Sequence, residues 1–157
     1  MSKTPSLSVF FPAYNEEKNI GKTVEKALKI LPSLASNYEI IVVNDGSTDS
    51  TKAVVEKITE KDPQVKIVSH SKNLGYGAAL RTGFSTASNP LIAYIDADVQ
   101  YEIGEISKFL EKINKADLVI GQRKKRAEGS IREINERVLS FLVRFFYGVK
   151  IADVDCG

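Results

Sequence analysis

Two carboxylates that lie two residues apart, Asp96 and Asp98, follow an apolar run at residues 91–95 in the segment LIAYIDADVQ. The run is typical of a buried strand, and side chains two apart on a strand point to the same side. The two acids would therefore face one spot and repel each other unless a positive charge lies between them. The pattern indicates a site for a divalent cation at the end of a strand.

Segments typical of strands and helices alternate along the chain that must position these acids. Near-continuous apolar, β-branched runs are expected of parallel strands covered on both faces, and helical periodicity separates them. Right-handed connections then give an α/β fold, a doubly wound, mostly parallel sheet with helices on both faces. Pro32 is expected to end the first helix. The predicted strands are 7–14, 38–45, 65–71, 91–98 and 116–123, and the predicted helices are 17–30, 50–61, 76–88 and 102–114.

Four of the predicted strand ends are polar or rich in glycine, and ligands of open parallel sheets bind outside the carboxyl ends of the strands. Taken singly, each segment has an ordinary explanation as a turn or a helix cap. Gly83 is misplaced for a dinucleotide loop, and His70 is interpreted as a packing or surface residue. Taken together, the ends predict an acidic crevice lined by glycine. The segments are PAYNEE (12–17), NDGSTD (44–49), NLGYGAALRTG (73–83) and DADVQ (96–100).

The composition indicates a single soluble domain over residues 1–157. Of the 157 residues, 43% are hydrophobic and 27% are charged, which is the profile of one globular core. No apolar run approaches the roughly 20 residues of a membrane span, and a signal peptide is not evident, so we expect a cytoplasmic location. The single cysteine, Cys156, excludes an internal disulfide and a cysteine-rich zinc site.

A positive region covers residues 121–150, which hold eight Lys or Arg and three Glu. Such a region suits phosphates or a lipid headgroup surface, although it could equally be a solvated face. Within it, residues 130–148 form a predicted amphipathic helix that either packs into the core or meets a membrane. The sequence ends at DVDCG, in what resembles the entry to another element, so we expect the C-terminal part of the domain to be missing.

These motifs resemble the family 2 glycosyltransferases of GT-A fold, and among them the polyprenyl-phosphate sugar transferases similar to dolichyl-phosphate mannose synthase. FPAYNEEKNI, EIIVVNDGSTDST, NLGYGAALRTGF, DADVQ, GQR and DVDCG occur in the family's order and spacing. The first four are shared widely in family 2, and their combination with GQR and the final D-x-x-CG points to the lipid-phosphate branch. The resemblance implies inverting transfer of a sugar from GDP-mannose or a UDP-hexose to a polyprenyl phosphate such as dolichyl or undecaprenyl phosphate.

The resemblance also implies which residues bind the sugar nucleotide. Asp45 would accept hydrogen bonds from the base or ribose. The metal ligands would be Asp96, Asp98 and Gln100, whose oxygen atoms suit Mg²⁺ or Mn²⁺. A divalent ion there would neutralise charge on the departing nucleoside diphosphate, so Asp98 counts as catalytic too. The remaining residues of the implied pocket are Pro12, Tyr14, Asn15, Glu16, Gly75 and Ala97.

On the acceptor side, Arg123 and Arg137 match family positions that hold the lipid phosphate, which a guanidinium can grip through two oxygens. A phosphate with a second pKa of about 6 is already ionised near neutral pH, so the reaction needs no general base. Asp153 and Asp155 fall on the family's acidic motif, and which of them faces the sugar stays open. The expected partners are the two substrates and the cytoplasmic membrane surface, with peripheral association, and do not include nucleic acid.

Two alternatives stay open beside this interpretation. YEIGE at residues 101–105 stands where mannose synthases commonly carry HPP, which weakens the case for mannose. A family 2 transferase with a saccharide acceptor would need a carboxylate base, which Asp153 or Asp155 could supply. The chain could also be a nucleotide-binding module without turnover.

Overall fold

A computed structural model describes residues 6–97 and 102–121 of the chain. Over these ranges strands and helices alternate, as the sequence predicts. The strands are β1 (Leu7–Ala13), β2 (Tyr38–Asn44), β3 (Val65–Ser69) and β4 (Leu91–Tyr94). The α-helices are α1 (Ile20–Leu34), α2 (Thr51–Thr59), α3 (Tyr76–Thr86) and α4 (Ile106–Leu110), with 3₁₀ turns at Ile103–Glu105 and Ile113–Lys115.

The four strands form one parallel sheet in the order β3-β2-β1-β4. β1 pairs with β2 from Leu7 opposite Tyr38 to Ala13 opposite Asn44, and it pairs with β4 over residues 7–10. The chain moves one way from β1 to β3 and then crosses back to β4, on the other side of β1. Right-handed connections therefore place α1 and α2 on one face and α3 on the other, which confirms the predicted doubly wound arrangement. The reversal lies between β1 and β4, where such sheets bind ligands.

The core beneath α3 is built around Phe10, a fully buried residue of β1. The Phe10 ring stacks on Tyr94 with centroids 5.6 Å apart and meets Phe84 edge-on at 5.0 Å. Gly83 lets α3 approach this closely, because a Cβ at that position would lie 2.3 Å from the Phe10 ring. The buried residues of the cluster are Phe10, Ile41, Val43 and Ala79.

Helix α1 contacts β2 and α2, and α2 contacts β3. Because both faces of the sheet are covered, residues 39–44 of β2 are all buried, as its continuous apolar run predicts. The residues that α1 buries recur at helical spacing and are Ile20, Thr23, Val24, Ala27 and Leu31.

A buried carboxylate closes the amino-terminal edge of the sheet. Glu39, the second residue of β2, accepts hydrogen bonds from the Ser8 hydroxyl at 2.6 Å, the Ser88 amide at 2.6 Å and the Lys66 ammonium at 2.8 Å. Burial alone would raise the pKa of Glu39, but these hydrogen bonds outweigh burial and lower the pKa to about 2. The Glu39 side chain therefore joins the starts of β1, β2 and β3 to Ser88, which follows α3.

The prediction that Pro32 ends the first helix is wrong, because α1 continues through Pro32 to Leu34. Pro32 lies in the last turn of the helix, where its missing N–H removes only one hydrogen bond. The amide of Ala35 still donates to the carbonyl oxygen of Leu31 at 3.0 Å and completes the turn.

The segment after β4 differs most from the prediction. The predicted helix 102–114 is divided into a 3₁₀ turn, α4 and a second 3₁₀ turn, because amides beyond Phe109 donate to carbonyl oxygens three residues back rather than four. The predicted strand 116–123 is not formed over its described residues, 116–121. Leu118 and Ile120 are 76% and 54% exposed, and a β-branched run becomes a strand only where it can pair and pack.

The chain divides into two compact units, the first ending at Ser107 and the second beginning at Lys108. The single domain over residues 1–157 therefore stays a prediction. In the part of the chain that the structure describes, no helix is long and apolar enough to cross a bilayer. The predicted helix 130–148 lies outside the described residues.

Candidate functional site

The carboxyl ends of β1 and β2 lie side by side, with Ala13 opposite Asn44. The loops that follow these two strands therefore start next to each other, on the edge where the sequence predicts the crevice. Pro12, a predicted pocket residue, is buried within β1. Tyr14 is 46% exposed. Tyr14 rather than Pro12 therefore lies at the surface of this edge.

Asn15 joins the loop after β1 to the loop after β2. Its φ of 56° is in the left-handed region, which asparagine tolerates better than most residues. Its Oδ1 accepts hydrogen bonds from the backbone amide of Thr48 at 2.9 Å and from the Thr48 hydroxyl at 3.3 Å. The backbone amide of Asn15 donates to the Ser47 hydroxyl at 3.0 Å. We call residues 14–17 and 47–51 the interlocked loops.

Glu16 and Glu17 extend the contact between the interlocked loops. The amide of Glu16 donates to the Thr51 hydroxyl at 2.8 Å, and the amide of Glu17 donates to Asp49 Oδ2 at 3.1 Å. In return, the Glu17 carboxylate accepts a hydrogen bond from the amide of Ser50 at 2.9 Å. The predicted pocket residues Asn15 and Glu16 thus hold the two loops together by hydrogen bonds within the protein.

Asp45, the residue directly after β2, is 4% exposed. Its Oδ1 accepts the amide of Leu74 at 2.9 Å and its Oδ2 accepts the amide of Gly75 at 2.9 Å. Burial alone would raise the pKa of Asp45, but these two hydrogen bonds and one from His70 outweigh burial and lower the pKa. The carboxylate is therefore ionised at neutral pH and anchors the glycine turn before α3. The predicted binding residue Gly75 contributes its amide to that anchor.

Sequence reasoning missed His70, which the structure brings to the same carboxylate. The His70 side chain is 11% exposed, and its Nδ1 lies 2.6 Å from Asp45 Oδ1. Its Nε2 lies 2.9 Å from the Thr82 hydroxyl of α3. The signal that could have found this residue is its place directly after β3. Asn44 and Ser69 are paired in neighbouring strands, so the residues that follow them meet at one edge.

A cleft of about 520 Å³ opens between the loops that follow β2 and β3. Among the described residues, its walls include Tyr14 and two lysines, Lys52 and Lys72, and no Asp or Glu. Gly46, also in the wall, has a φ of 67°, and a Cβ there would lie 2.2 Å from the carbonyl carbon of Lys72. An aromatic wall, hydroxyl groups and two ammonium groups suit a flat, polar ligand that carries negative charge.

Asp96 lies just beyond β4, at the edge where the sheet order reverses. Its Oδ1 accepts a hydrogen bond from the hydroxyl of Tyr76, the first residue of α3, at 3.0 Å. Ala97, another predicted binding residue, is buried, and its carbonyl oxygen accepts the Thr23 hydroxyl of α1 at 3.2 Å. Contacts with α1 and α3 therefore fix the segment that leads into the predicted metal site.

The described part of the predicted metal site is Asp96 alone. The other two predicted ligands, Asp98 and Gln100, lie outside the described residues. Within residues 6–97 and 102–121, no group of three or more His, Cys, Asp or Glu could hold a metal ion. The oxygen chemistry of the three predicted ligands fits a hard divalent cation, and the metal site stays a prediction.

The predicted acceptor residues also lie outside the part of the chain that the structure describes; they are Arg123, Arg137, Asp153 and Asp155. What the structure brings to one edge is the nucleotide side of the predicted site. Tyr14 lies on the interlocked loops, Asp45 and Gly75 share hydrogen bonds, and Asp96 meets α3 through Tyr76.

The sequence profile of glycosyl transferase family 2 matches residues 8–151, which is nearly the whole chain. The chain belongs to glycosyl transferase family 2. The resemblance to family 2 that was inferred from the motifs is thus confirmed.

Curated relatives of the family 2 chain are sugar transferases named for polyprenyl phosphates. Dodecaprenyl-phosphate galacturonate synthase of Rhizobium johnstonii is 33% identical over 155 residues, which cover 96% of this chain and 46% of that protein. Dolichyl-phosphate beta-glucosyltransferase ALG5C of Trichomonas vaginalis is 35% identical over 164 residues, which cover 93% of this chain and 48% of that protein. The chain spans about half the length of the curated relatives it matches.

Solved structures confirm the predicted GT-A fold. S. aureus TarS, residues 1–349 in complex with UDP-GlcNAc, superposes with a TM-score of 0.63 at 26% identity and covers 80% of this chain and 36% of that one. The mannosyltransferase PcManGT of Pyrobaculum calidifontis, in complex with GDP-Man and Mn²⁺, has a TM-score of 0.63 at 22% identity and covers 71% of this chain and 33% of that one.

Proposed function

We propose that this family 2 chain binds the sugar nucleotide of an inverting transferase whose acceptor is a polyprenyl phosphate. The observation that carries the proposal is the carboxyl edge of the sheet. There, a cleft with a tyrosine wall and two lysines adjoins the buried, ionised Asp45. The 33% and 35% identity to two polyprenyl-phosphate sugar transferases supports the acceptor class. Because the chain spans about half of each relative, sugar transfer is proposed for the whole protein.

In this proposal the interlocked loops and the turn before α3 form the nucleoside site. Tyr14 offers an aromatic surface to the base, and the amides and hydroxyls of the cleft offer hydrogen bonds. Lys52 and Lys72 attract the negatively charged diphosphate. Tyr14 and Lys72 lie in loops that hydrogen bonds already hold, and Lys52 lies in the first turn of α2, so the pocket is built before the ligand arrives.

Asp96, together with the predicted ligands Asp98 and Gln100, would hold Mg²⁺ or Mn²⁺. When bound, the divalent ion neutralises charge on the departing nucleoside diphosphate. The Tyr76 hydroxyl orients the Asp96 carboxylate by donating to Oδ1. This contact links the metal ligand to α3, whose N-terminal turn Asp45 anchors.

The acceptor side follows from phosphate chemistry and from residues outside the described ranges. Arg123 and Arg137 would hold the lipid phosphate beside the sugar, and the positive region at 121–150 would bring the protein to the cytoplasmic face of a membrane as a peripheral protein. Asp153 or Asp155 would face the sugar.

The sugar is the part of the proposal that changes most from the resemblance to mannose synthases. The curated relatives are named for galacturonate, glucose and 4-deoxy-4-formamido-L-arabinose. The sequence YEIGE at residues 101–105 also differs from the mannose synthase motif. We therefore propose a sugar nucleotide other than GDP-mannose as the donor.

A calorimetric binding panel tests the nucleotide site. UDP and GDP are titrated into the chain with Mn²⁺, with Mg²⁺ and with EDTA, and we expect binding of one nucleotide that strengthens about tenfold or more with the metal. Asp96→Asn should remove the gain from the metal and leave metal-free binding unchanged. The matched control is Asp62→Asn, because Asp62 lies before β3 at the opposite edge of the sheet. Equal losses in the two variants would contradict the role of Asp96.

A transfer assay separates the proposal from its alternatives. The whole protein is incubated with a labelled sugar nucleotide. The acceptor is undecaprenyl phosphate in vesicles, a saccharide, or neither. Product on the lipid supports the proposal, and product on the saccharide favours the second acceptor class. Nucleotide binding without either product favours a binding module without turnover.

A further inference from the structure

His70 is the only histidine in the 157-residue sequence, and the structure places both of its ring nitrogens in hydrogen bonds. Nδ1 lies 2.6 Å from Asp45 Oδ1, and Nε2 lies 2.9 Å from the Thr82 hydroxyl. The amide of His70 also donates to the carbonyl oxygen of Asn44 at 2.9 Å. The residue is therefore held by β2 through its backbone, by Asp45 through one nitrogen and by α3 through the other.

The proton positions follow from the partners of the ring. An ionised carboxylate can only accept, so Nδ1 must carry the hydrogen that it shares with Asp45. In the neutral ring Nε2 then accepts a hydrogen bond from the Thr82 hydroxyl, which can donate. The structure thus commits the neutral form of His70 to one tautomer, with its proton on Nδ1.

The hydrogen bond from His70 restrains the Asp45 carboxylate, which already accepts two other hydrogen bonds. Asp45 Oδ1 receives His70 and the amide of Leu74, and Oδ2 receives the amide of Gly75. A carboxylate has about four lone-pair sites, so about one site on Oδ2 is left for a ligand. Rotation of the carboxylate would break the bonds to the Leu74–Gly75 turn and would move that remaining site.

We propose that His70 is a positioning residue, which holds the Asp45 carboxylate and the Leu74–Gly75 turn in the arrangement that receives the nucleoside of the sugar nucleotide. The role rests on the proposed function, because it concerns the same site. His70 and the neighbours of Asp45 in the sequence, Asn44 and Gly46, all line the cleft. A displacement of the Asp45 side chain would therefore shift residues on both sides of the cleft, in the loop after β2 and in the loop after β3.

Two substitutions separate the two bonds of the ring. In His70→Asn the side-chain amide nitrogen can occupy the place of Nδ1 and donate to Asp45, whereas in His70→Gln it reaches the place of Nε2 near Thr82. Binding of UDP and GDP with Mn²⁺ is measured by calorimetry at a temperature where thermal unfolding shows each variant to be folded. We expect His70→Gln to weaken the preferred nucleotide about tenfold and His70→Asn to recover most of the loss.

The Thr82 contact is tested with a matched pair of threonines. Thr82→Val removes the hydroxyl that holds the ring, and we expect nucleotide binding to weaken about twofold to threefold. Thr59→Val is the control, because the Thr59 hydroxyl donates within α2 to the carbonyl oxygen of Glu56. It should leave nucleotide binding unchanged.

Two readouts do not depend on nucleotide binding. Because the chain has one histidine, the imidazole ¹⁵N spectrum contains a single set of signals, and it should show the tautomer protonated on Nδ1. Hydrogen exchange of the Leu74 and Gly75 amides should be about tenfold faster in His70→Gln than in His70→Asn. A stability loss alone would speed exchange of many amides and would not single out these two.

The outcomes distinguish failure of this inference from failure of the proposed function. If neither UDP nor GDP binds the unsubstituted chain, the proposed function fails, while the tautomer and the amide exchange still decide the positioning role. The inference is overturned if His70→Gln binds nucleotide as tightly as the unsubstituted chain, if the Asn and Gln variants are equally weak, or if the ring is protonated on Nε2 when neutral.

Discussion

Glu39 near the start of β2 and Asp45 just past its end invite comparison, because one strand carries a buried carboxylate at each edge of the sheet. They are 6% and 4% exposed, and each accepts three close hydrogen bonds from side chains and backbone amides. For each, these bonds outweigh burial and lower the pKa. Burial and pKa alone therefore do not distinguish them.

The partners of the two carboxylates differ. Glu39 is paired with a lysine, Lys66, and its other two donors are the Ser8 hydroxyl and the Ser88 amide. Asp45 is paired with a histidine and with the amides of a glycine turn, and its neighbours line a cleft of about 520 Å³. A buried carboxylate with a lysine counter-charge is expected to stabilise the fold, whereas one held by a histidine and a glycine turn beside a cleft can also serve a ligand.

The largest effect that would sharpen this comparison is expected for Glu39→Gln. The substitution removes the charge that three donors share, so we expect the free energy of unfolding to fall by about 3–4 kcal/mol. Urea unfolding measures the loss, and the remaining folded protein should bind nucleotide normally. Glu56→Gln is the control, because Glu56 forms an exposed pair with Lys52 at 3.5 Å that contributes about 0.5 kcal/mol or less. Similar losses in the two variants would show that the buried network stabilises nothing beyond an exposed pair.

The acid dependence of stability should also follow from Glu39. Its folded pKa of about 2 lies below the unfolded value of about 4.3, so its stabilisation is present above the unfolded pKa and is lost as pH falls through the folded pKa. Between about pH 5 and pH 2 the protein should lose roughly 3 kcal/mol through this group. Urea unfolding across this range should therefore show a flatter profile for Glu39→Gln. Parallel profiles would assign the acid sensitivity to other carboxylates.

The smallest of the three effects concerns the opposite edge. Gly46→Ala would place a Cβ 2.2 Å from the backbone of Lys72 at a φ of 67°, so we expect a loss of about 2 kcal/mol in unfolding free energy and weaker nucleotide binding. Gly77→Ala is the matched control, because a Cβ at Gly77 of α3 meets nothing within 4 Å. It should stabilise the helix by about 0.5 kcal/mol. A tolerated Gly46→Ala would show that the two loops can separate.

The sheet could be predicted from the sequence because each of its strands is a local apolar run. PAYNEE and NDGSTD contribute residues to the wall of the cleft, but the predicted acidic lining is wrong there, because the charged residues in its described wall are Lys52 and Lys72. Residue contacts between separate strands could not be predicted in this way. His70 and Asp45 are 25 residues apart, and their contact depends on β2 and β3 being neighbours in register.

The errors after β4 have a different cause. The predicted helix 102–114 and strand 116–123 were inferred from local pattern alone, which has no means of showing whether a neighbouring element is available. Leu118, an apolar residue of the predicted strand, is 76% exposed, so the apolar pattern there does not correspond to a buried strand. The left-handed backbone of Asn15 could not be predicted from the sequence either, because asparagine is also common in turns without a positive φ.

The interlocked loops have a consequence for the thermodynamics of association. Hydrogen bonds through Asn15, Glu16 and Glu17 join the loops after β1 and β2 before any ligand is present. Their conformational entropy is lost when the chain folds, so a nucleotide that docks against them does not have to order them again. The heat-capacity change of binding should then reflect only the apolar surface in direct contact with the ligand, as in the docking of a rigid body, without the larger change that accompanies coupled folding.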